Sequence, residues 1–233
     1  MKDALNIFTD ASISHTDTVY GTIGCAGFIS ARSNDENKKL VTLDRYYTIL
    51  TNTTNNIAEV TAILKAVQYA IAHKNMYREF NIFSDSQWAI KSITTWIFNW
   101  INTIDDDGIM YNSSQAPVIN QNIFSEIILL IVQNDIKIHF YHCKGHVDTK
   151  DKNSIFDAIK TFRISNCLKR DQHLTYEDIY IISYYNDLVD NESRAHVQHF
   201  VKHMQTQIPM TYRNPFFYIL DEDIVDRYKS LIK

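Results

Sequence analysis

The chain of 233 residues has little of what punctuates loops: five glycines and three prolines. Linker-like or low-complexity chains need far more of both, so a folded protein is expected. Cysteine is also scarce. Cys25, Cys143 and Cys167 are odd in number and lack C-x-x-C spacing, which argues against a disulfide framework. No apolar run reaches membrane-spanning length, and the N-terminus lacks a basic segment followed by a hydrophobic one. A soluble protein of a reducing cytoplasm is the expectation. Excess positive charge is missing too: the formal net charge is -4, so nucleic acid is not gripped by global charge and any such binding is local. Hydrophobic residues, by contrast, make up 45% and aromatics 12%, enough for the core of one large domain.

The most informative stretch is Leu5 to Ser12, LNIFTDAS, a short β-prone run closing on Asp10. The pattern returns at Phe80 to Ser86, FNIFSDS, where the acid is Asp85. Either aspartate alone can start a turn or cap a helix. Two strands of one sheet could instead bring the pair together, and paired carboxylates then call for a divalent cation between them.

Between these runs, Gly27-Phe28-Ile29 reads as a second strand, residues 31–39 as a polar turn and Leu40 to Leu50 as a third strand, an antiparallel meander. Thr51 to Asn56 offers helix N-caps. From Ile57 the apolar residues Val60, Ile63, Leu64, Val67 and Ile71 recur at helical spacing. Glu59 is read into the first turn, where it suits the macrodipole or projects over the sheet end. Gln87 opens a helix whose Trp96 and Trp100 read as core. Asp105-Asp106-Asp107-Gly108 lacks the spacing of a calcium loop. A helix over Pro117 to Val132 and a last strand over Ile136 to Tyr141 follow, running into Lys144-Gly145-His146. Residues 147–185 lack clear periodicity before Ile179 and read as an insertion; residues 186–203 read as a helix. Phe216 to Leu220 and Ile224 to Ile232 read as a docked terminal segment.

Asp10, Glu59, Asp85, His146 and Asp190 thus stand in order on plausible elements, and the motifs around them resemble type 1 ribonuclease H. Ile7 to Ser12 is similar to the family's I/V-F-T-D-G/A-S. Thr54, Asn55, Asn56 and Glu59 match T-N-N-x-x-E, and Asp85, Ser86 and Gln87 match D-S-Q. Lys144, Gly145 and His146 match K-G-H, and Asn186 with Asp190 matches N-x-x-x-D. Asn99-Trp100 and Ala116 to Asn120 are similar to further family segments. The resemblance covers roughly residues 5–146 and 186–195 and implies an α/β fold: a mixed five-stranded sheet, three antiparallel strands first, flanked by helices. The domain would span 1–203 with the 147–185 insertion inside it, and 204–233 would form a C-terminal extension packed upon it.

The resemblance implies an endoribonuclease that hydrolyses the RNA strand of RNA–DNA hybrids, leaving 5′-phosphate and 3′-hydroxyl ends. It implies two Mg²⁺ ions, replaceable by Mn²⁺, held by Asp10, Glu59, Asp85 and Asp190, one activating water and one stabilising the leaving oxygen. His146, in a loop, would shuttle protons or help release product. Ser12, Thr54, Asn55, Asn56, Gln87 and Asn186 would contact the hybrid, reading 2′-hydroxyls and shape rather than sequence. A nuclease of the same fold acting on DNA junctions or duplex DNA, or a non-catalytic binding module, are the alternatives. A monomer without a preceding hybrid-binding module or fused reverse transcriptase is expected.

Two features depart from the family pattern. The region after Trp100 is acidic where many bacterial members carry a basic protrusion. The loop after His146 is long, and its Lys150, Lys152, Lys160, Arg163, Lys169 and Arg170 are candidates to restore positive charge. Zinc at His139, His142 and Cys143 is disfavoured, because His139 and His142 face opposite sides of a strand. His196, His199 and His203 share a helix face, read as a solvated or substrate-facing stripe.

Overall fold

The computed structural model describes residues 2–14, 20–33, 40–169, 172, 174–203 and 222–232. Five strands form one sheet in the order β3-β2-β1-β4-β5: β1 Lys2–Ile13, β2 Gly24–Ser33, β3 Leu40–Leu50, β4 Tyr77–Ser84 and β5 Lys137–His142. The meander β1–β2–β3 is antiparallel, whereas β4 and β5 run parallel to β1 and its neighbour. Helices cover both faces of β1 and β4, so both members of the pairs Ile7-Phe8 and Ile82-Phe83 are buried, one in each layer.

One face carries α1 (Asn55–Ala72), α2 (Gln87–Lys91), α3 (Ile97–Ile101) and α4 (Gln121–Asn134), with α2 and α3 joined by a π-helical stretch, Ser92–Trp96. Thr54 caps α1 by accepting the Ile57 N–H at 3.3 Å, and Ala58 and Ala62 pack with Ala11 and Ala26, small side chains that let the helix lie close to the sheet. The core here is aliphatic, with Leu5, Ile7, Ile63, Leu64, Ile82 and Ile127 all fully buried. α7 (Glu222–Leu231) docks on this layer. Its buried Tyr228 donates to the Ile93 carbonyl of the π-helical stretch at 3.1 Å. Arg227 donates to the Val132 carbonyl near the end of α4 at 2.9 Å, satisfying a carbonyl the helix end leaves over. Ile232 then bridges Ile138 on the outer edge of β5.

The other face carries α5 (Lys152–Ser165) and the 28-residue α6 (Tyr176–His203). Its core is aromatic: Phe8 stacks on Phe83 and Tyr185, and Phe83 stacks on Tyr141 and Phe162. Asn166, at the end of α5, accepts the His142 N–H and donates to the His142 carbonyl, both at 2.8 Å. It closes the β5 edge as a strand would.

Three boundaries differ from the sequence reading. α4 begins at Gln121 rather than Pro117, because Pro117 bridges Tyr111 and Asn120 is left-handed at φ 64°. The helix read over residues 186–203 begins ten residues earlier. Thr175 Oγ1 accepts the Asp178 N–H at 3.1 Å, while Asp178 accepts the Thr175 N–H at 2.8 Å, a reciprocal capping box. Glu59 is the fifth residue of α1, beyond the first turn, so the macrodipole does not account for it. Phe216 to Leu220 and residues 34–39 of the turn lie outside the described residues.

Candidate active site

A single register places the two strand acids side by side. The parallel pairing of β1 with β4 ends at Thr9 opposite Ser84, tied by Thr9 Oγ1 donating to the Phe83 carbonyl at 3.1 Å. Asp10 and Asp85 are the next residues on each chain. Glu59 reaches them from α1. One carboxylate oxygen from each of Asp10, Glu59 and Asp85 lies within 4.8 Å of the others, the one such group of three or more among the described residues.

The three acids are withdrawn from water. Asp10 is 4% and Glu59 5% exposed. Burial first, then repulsion from Asp85, raises the Asp10 carboxyl well above its ordinary range. Burial, then Asp10 and Asp85, does the same to Glu59. Asp85 is raised by burial and held back by an Asn186 amide donating to its Oδ2 at 3.3 Å. Glu59 Oε2 is buried and has no hydrogen-bond partner in the protein. An orphaned carboxylate oxygen in a cluster with buried Asp10 and half-buried Asp85 fits a hard divalent cation, which takes oxygen ligands and cancels the repulsion.

Asp190 projects from α6 outside this trio, paired with Arg194 one turn on at 2.5 Å, yet its charge still raises Asp10, Glu59 and Asp85. His146 is exposed, left-handed at φ 51°, and its charge favours ionised Asp85. Gly145 before it lies against the Asp85 carboxylate: a Cβ there would sit 2.4 Å from Oδ2, so a side chain at 145 displaces that group. Gly27, opposite Asp10, is equally constrained: a Cβ would strike the Tyr47 ring at 2.3 Å and approach Ser193 Oγ at 3.1 Å.

Thr54, Asn55, Asn56 and Gln87 are exposed and Ser12 half-buried, as surface contacts must be. Asn186 is placed otherwise. It is 2% exposed and its amide is spent between Asp85 and the Cys143 thiol, which donates to its Oδ1 at 3.4 Å. It is directed at Asp85 rather than at the surface. The sequence reading missed this role, and also missed Arg194, whose i,i+4 spacing from Asp190 was the available signal.

The remaining motifs settle into structural roles. Trp100 is buried, and with Trp96 it lines a groove of about 470 Å³ shared with Asn99, Thr103 and Tyr111. His139 pairs with Glu79 at 3.2 Å, away from Cys143, which bonds Asn186. Arg163, a candidate for substrate charge, donates to the Gln172 and Lys169 carbonyls and ties the α5–α6 connection instead. No helix among the described residues is long and apolar enough to cross a membrane.

Comparison with known proteins agrees with this geometry. The family profile described as RNase H matches residues 2–161. A protein of Haemophilus influenzae, named ribonuclease HI, is 30% identical over 162 residues, covering 68% of this chain and 88% of that one. A ribonuclease H of Tropheryma whipplei is 30% identical over 122 residues, covering 52% and 68%. Among solved structures, a prototype foamy virus protease–reverse transcriptase superposes with a TM-score of 0.51 at 14% identity, over 79% of this chain and 20% of that one. This last likeness is one of fold.

Proposed function

The chain belongs to the ribonuclease H family of hydrolases, and from that premise we propose that it cuts the RNA strand of RNA–DNA hybrids with two divalent ions, leaving 5′-phosphate and 3′-hydroxyl ends. The observation that carries the reading is the buried oxygen cluster of Asp10, Glu59 and Asp85 at the end of two parallel strands. Magnesium, or manganese in its place, would be held by Asp10, Glu59, Asp85 and Asp190 and would supply the charge that activates water and stabilises the leaving oxygen.

The side chains around the metal site divide the remaining work. Asp10, most central, serves both sides of the scissile phosphate; Glu59 and Asp85 serve the leaving-group side and Asp190 the water side. Asn186 and Gly145 fix the Asp85 carboxylate, one by donating to it and the other by leaving it room. His146, exposed in the loop beside Asp85, would shuttle protons or help release product. Asn55, Asn56 and Gln87 present amides to sugars and base edges in the minor groove, and Ser12 and the Thr54 hydroxyl contact the backbone. Cleavage is therefore insensitive to sequence. The thiols Cys25 and Cys143 are buried and unpaired by disulfides, which suits a reducing cytoplasm.

The test is cleavage of end-labelled hybrid, duplex RNA, duplex DNA and a DNA junction, in Mg²⁺ and with chelator. Selective, chelator-sensitive cutting of the hybrid is expected, with Asp85→Asn slower by about 10²–10³-fold, the scale of losing one preorganised electrostatic group. Cutting of the junction in preference to hybrid would transfer the site to DNA. Tight hybrid binding by an inert wild type would make the chain a binding module.

A further inference from the structure

Asp190 depends for its place over the acid cluster on how a whole helix is seated. Its partner Arg194 lies on α6 itself, so that pair moves with the helix and fixes nothing relative to Asp10. The polar contacts to other elements that bracket Asp190 most closely are made by Asn186 and Glu192. Asn186, one turn earlier, donates to Asp85. Glu192, two residues on, is gripped from β3: the Tyr47 hydroxyl donates to its Oε2 at 2.7 Å, and Arg45 pairs with its Oε1 at 2.9 Å. His196, one turn beyond Glu192, stacks on the same Tyr47 ring with centroids 4.6 Å apart. At about 100° per residue, positions 190 and 192 lie about 200° apart, on opposite flanks of the buried stripe of Val189 and Ser193. A helix resting on such a stripe can roll, and a roll that lowers one flank raises the other. The gripping side is anchored to the site itself. Asp10, Gly27 and Tyr47 are paired in one row across β1, β2 and β3, so they share a face of the sheet. It is the α6 face, where Phe8 stacks on Tyr185. Gly27 leaves room for the Tyr47 ring, which fills the place a Cβ would take.

We propose that Tyr47 and Glu192 are positioning residues: they hold the far flank of α6 against β3 so that Asp190 stays level with Asp10 and can share in holding metal. The proposal rests on the reading of the acid cluster as a hybrid nuclease. Tyr47 and Glu192 act through Asp190 rather than on the phosphate. The sheet makes the clamp accurate, because the row that carries Asp10 also carries, two strands away, the hydroxyl against which the helix is set. The hydrogen bond from Tyr47 matters more than the ion pair from Arg45, whose side chain is half exposed, since exposed pairs contribute little. Removing that one hydroxyl frees the flank while the ring keeps its place over Gly27 and its stacking on His196.

The experiment compares wild type, Tyr47→Phe, Glu192→Ala and Glu192→Gln in two readouts: steady-state cleavage of hybrid at saturating Mg²⁺, and Mn²⁺ uptake by the protein alone, followed by electron paramagnetic resonance. Tyr47→Phe and Glu192→Ala should each lower kcat by about tenfold, the lower end of what outer partners of metal ligands contribute, with KM for hybrid unchanged. The Mn²⁺ concentration at half-maximal uptake should rise with them. Glu192→Gln still accepts from Tyr47 and should recover most of both losses, although it abolishes the ion pair with Arg45. Tyr47→Phe keeps the ring and should unfold as cooperatively as the wild type. Unchanged kcat in Tyr47→Phe, a loss seen in KM alone, or a lower kcat with Mn²⁺ uptake unaltered would each overturn the clamp. A wild type that takes up Mn²⁺ but does not cut hybrid would instead remove the nuclease reading, and the uptake comparison would still decide whether Tyr47 and Glu192 position Asp190.

Discussion

The two helical faces of the sheet deliver the acids proposed for catalysis differently. α1 brings Glu59 in from an aliphatic layer that seals it, 5% exposed, with one oxygen left unbonded. α6 brings Asp190 from an aromatic layer and leaves its side chain 14% exposed and paired with Arg194. One acid is locked in place; the other has a partner it can exchange. The α1 face thus buries its acid while the α6 face leaves Asp190 partly open, and the buried Asn186 ties α6 to Asp85.

The largest expected effect comes from breaking the aromatic face. Phe162 of α5 stacks on Phe83 and Tyr141, and Phe162→Ala should cost about 3–5 kcal/mol. Denaturant unfolding measures it, and a loss below about 1 kcal/mol would mean that α5 is an ornament rather than part of the core. Next is Gly145→Ala. Its Cβ displaces Asp85, and an error of about 1 Å at a reacting group costs about 10²-fold. Hybrid cleavage should fall by that order while the fold is kept, and undiminished cleavage would show that the carboxylate tolerates displacement. Smallest is Asn186→Ala, which removes a hydrogen bond to a carboxylate. About tenfold in rate is expected, or roughly 1.4 kcal/mol. A change confined to KM would return Asn186 to substrate contact.

Much of the acid cluster was legible because its parts are local. Asp10 and Asp85 each close a short β run, and Thr54 with Asn55 and Asn56 marks the start of α1 directly before Glu59. What could not be read was register and side-chain partnership. Nothing in the sequence near Asn186 reveals that its amide meets Asp85, 101 positions away. The start of α6 was hidden for a different reason: Ile179, Ile181 and Ile182 are β-branched and imitate a strand. The capping box at Thr175 and Asp178 was the decisive local signal. Pro117 misled in the opposite sense, since proline is at home in a first helical turn, and the left-handed Asn120 that delays α4 has no signature strong enough to override it.

Asp10, Glu59 and Asp85 are crowded beyond what the protein alone relieves. A carboxyl with a raised folded pKa holds its proton more tightly folded than unfolded. Its stability contribution is therefore full below the unfolded value near 4 and falls as pH rises toward the folded one. Metal-free protein should lose stability across that rise, and Mg²⁺ should restore it. The direct measurement is the melting temperature at pH 7.5, with and without Mg²⁺, of wild type and Asp10→Asn. Wild type should gain on adding Mg²⁺, while Asp10→Asn should start higher, by about 2–4 °C per kcal/mol of repulsion removed, and gain little. Equal Mg²⁺ shifts in both, or an Asp10→Asn protein that starts lower, would contradict it.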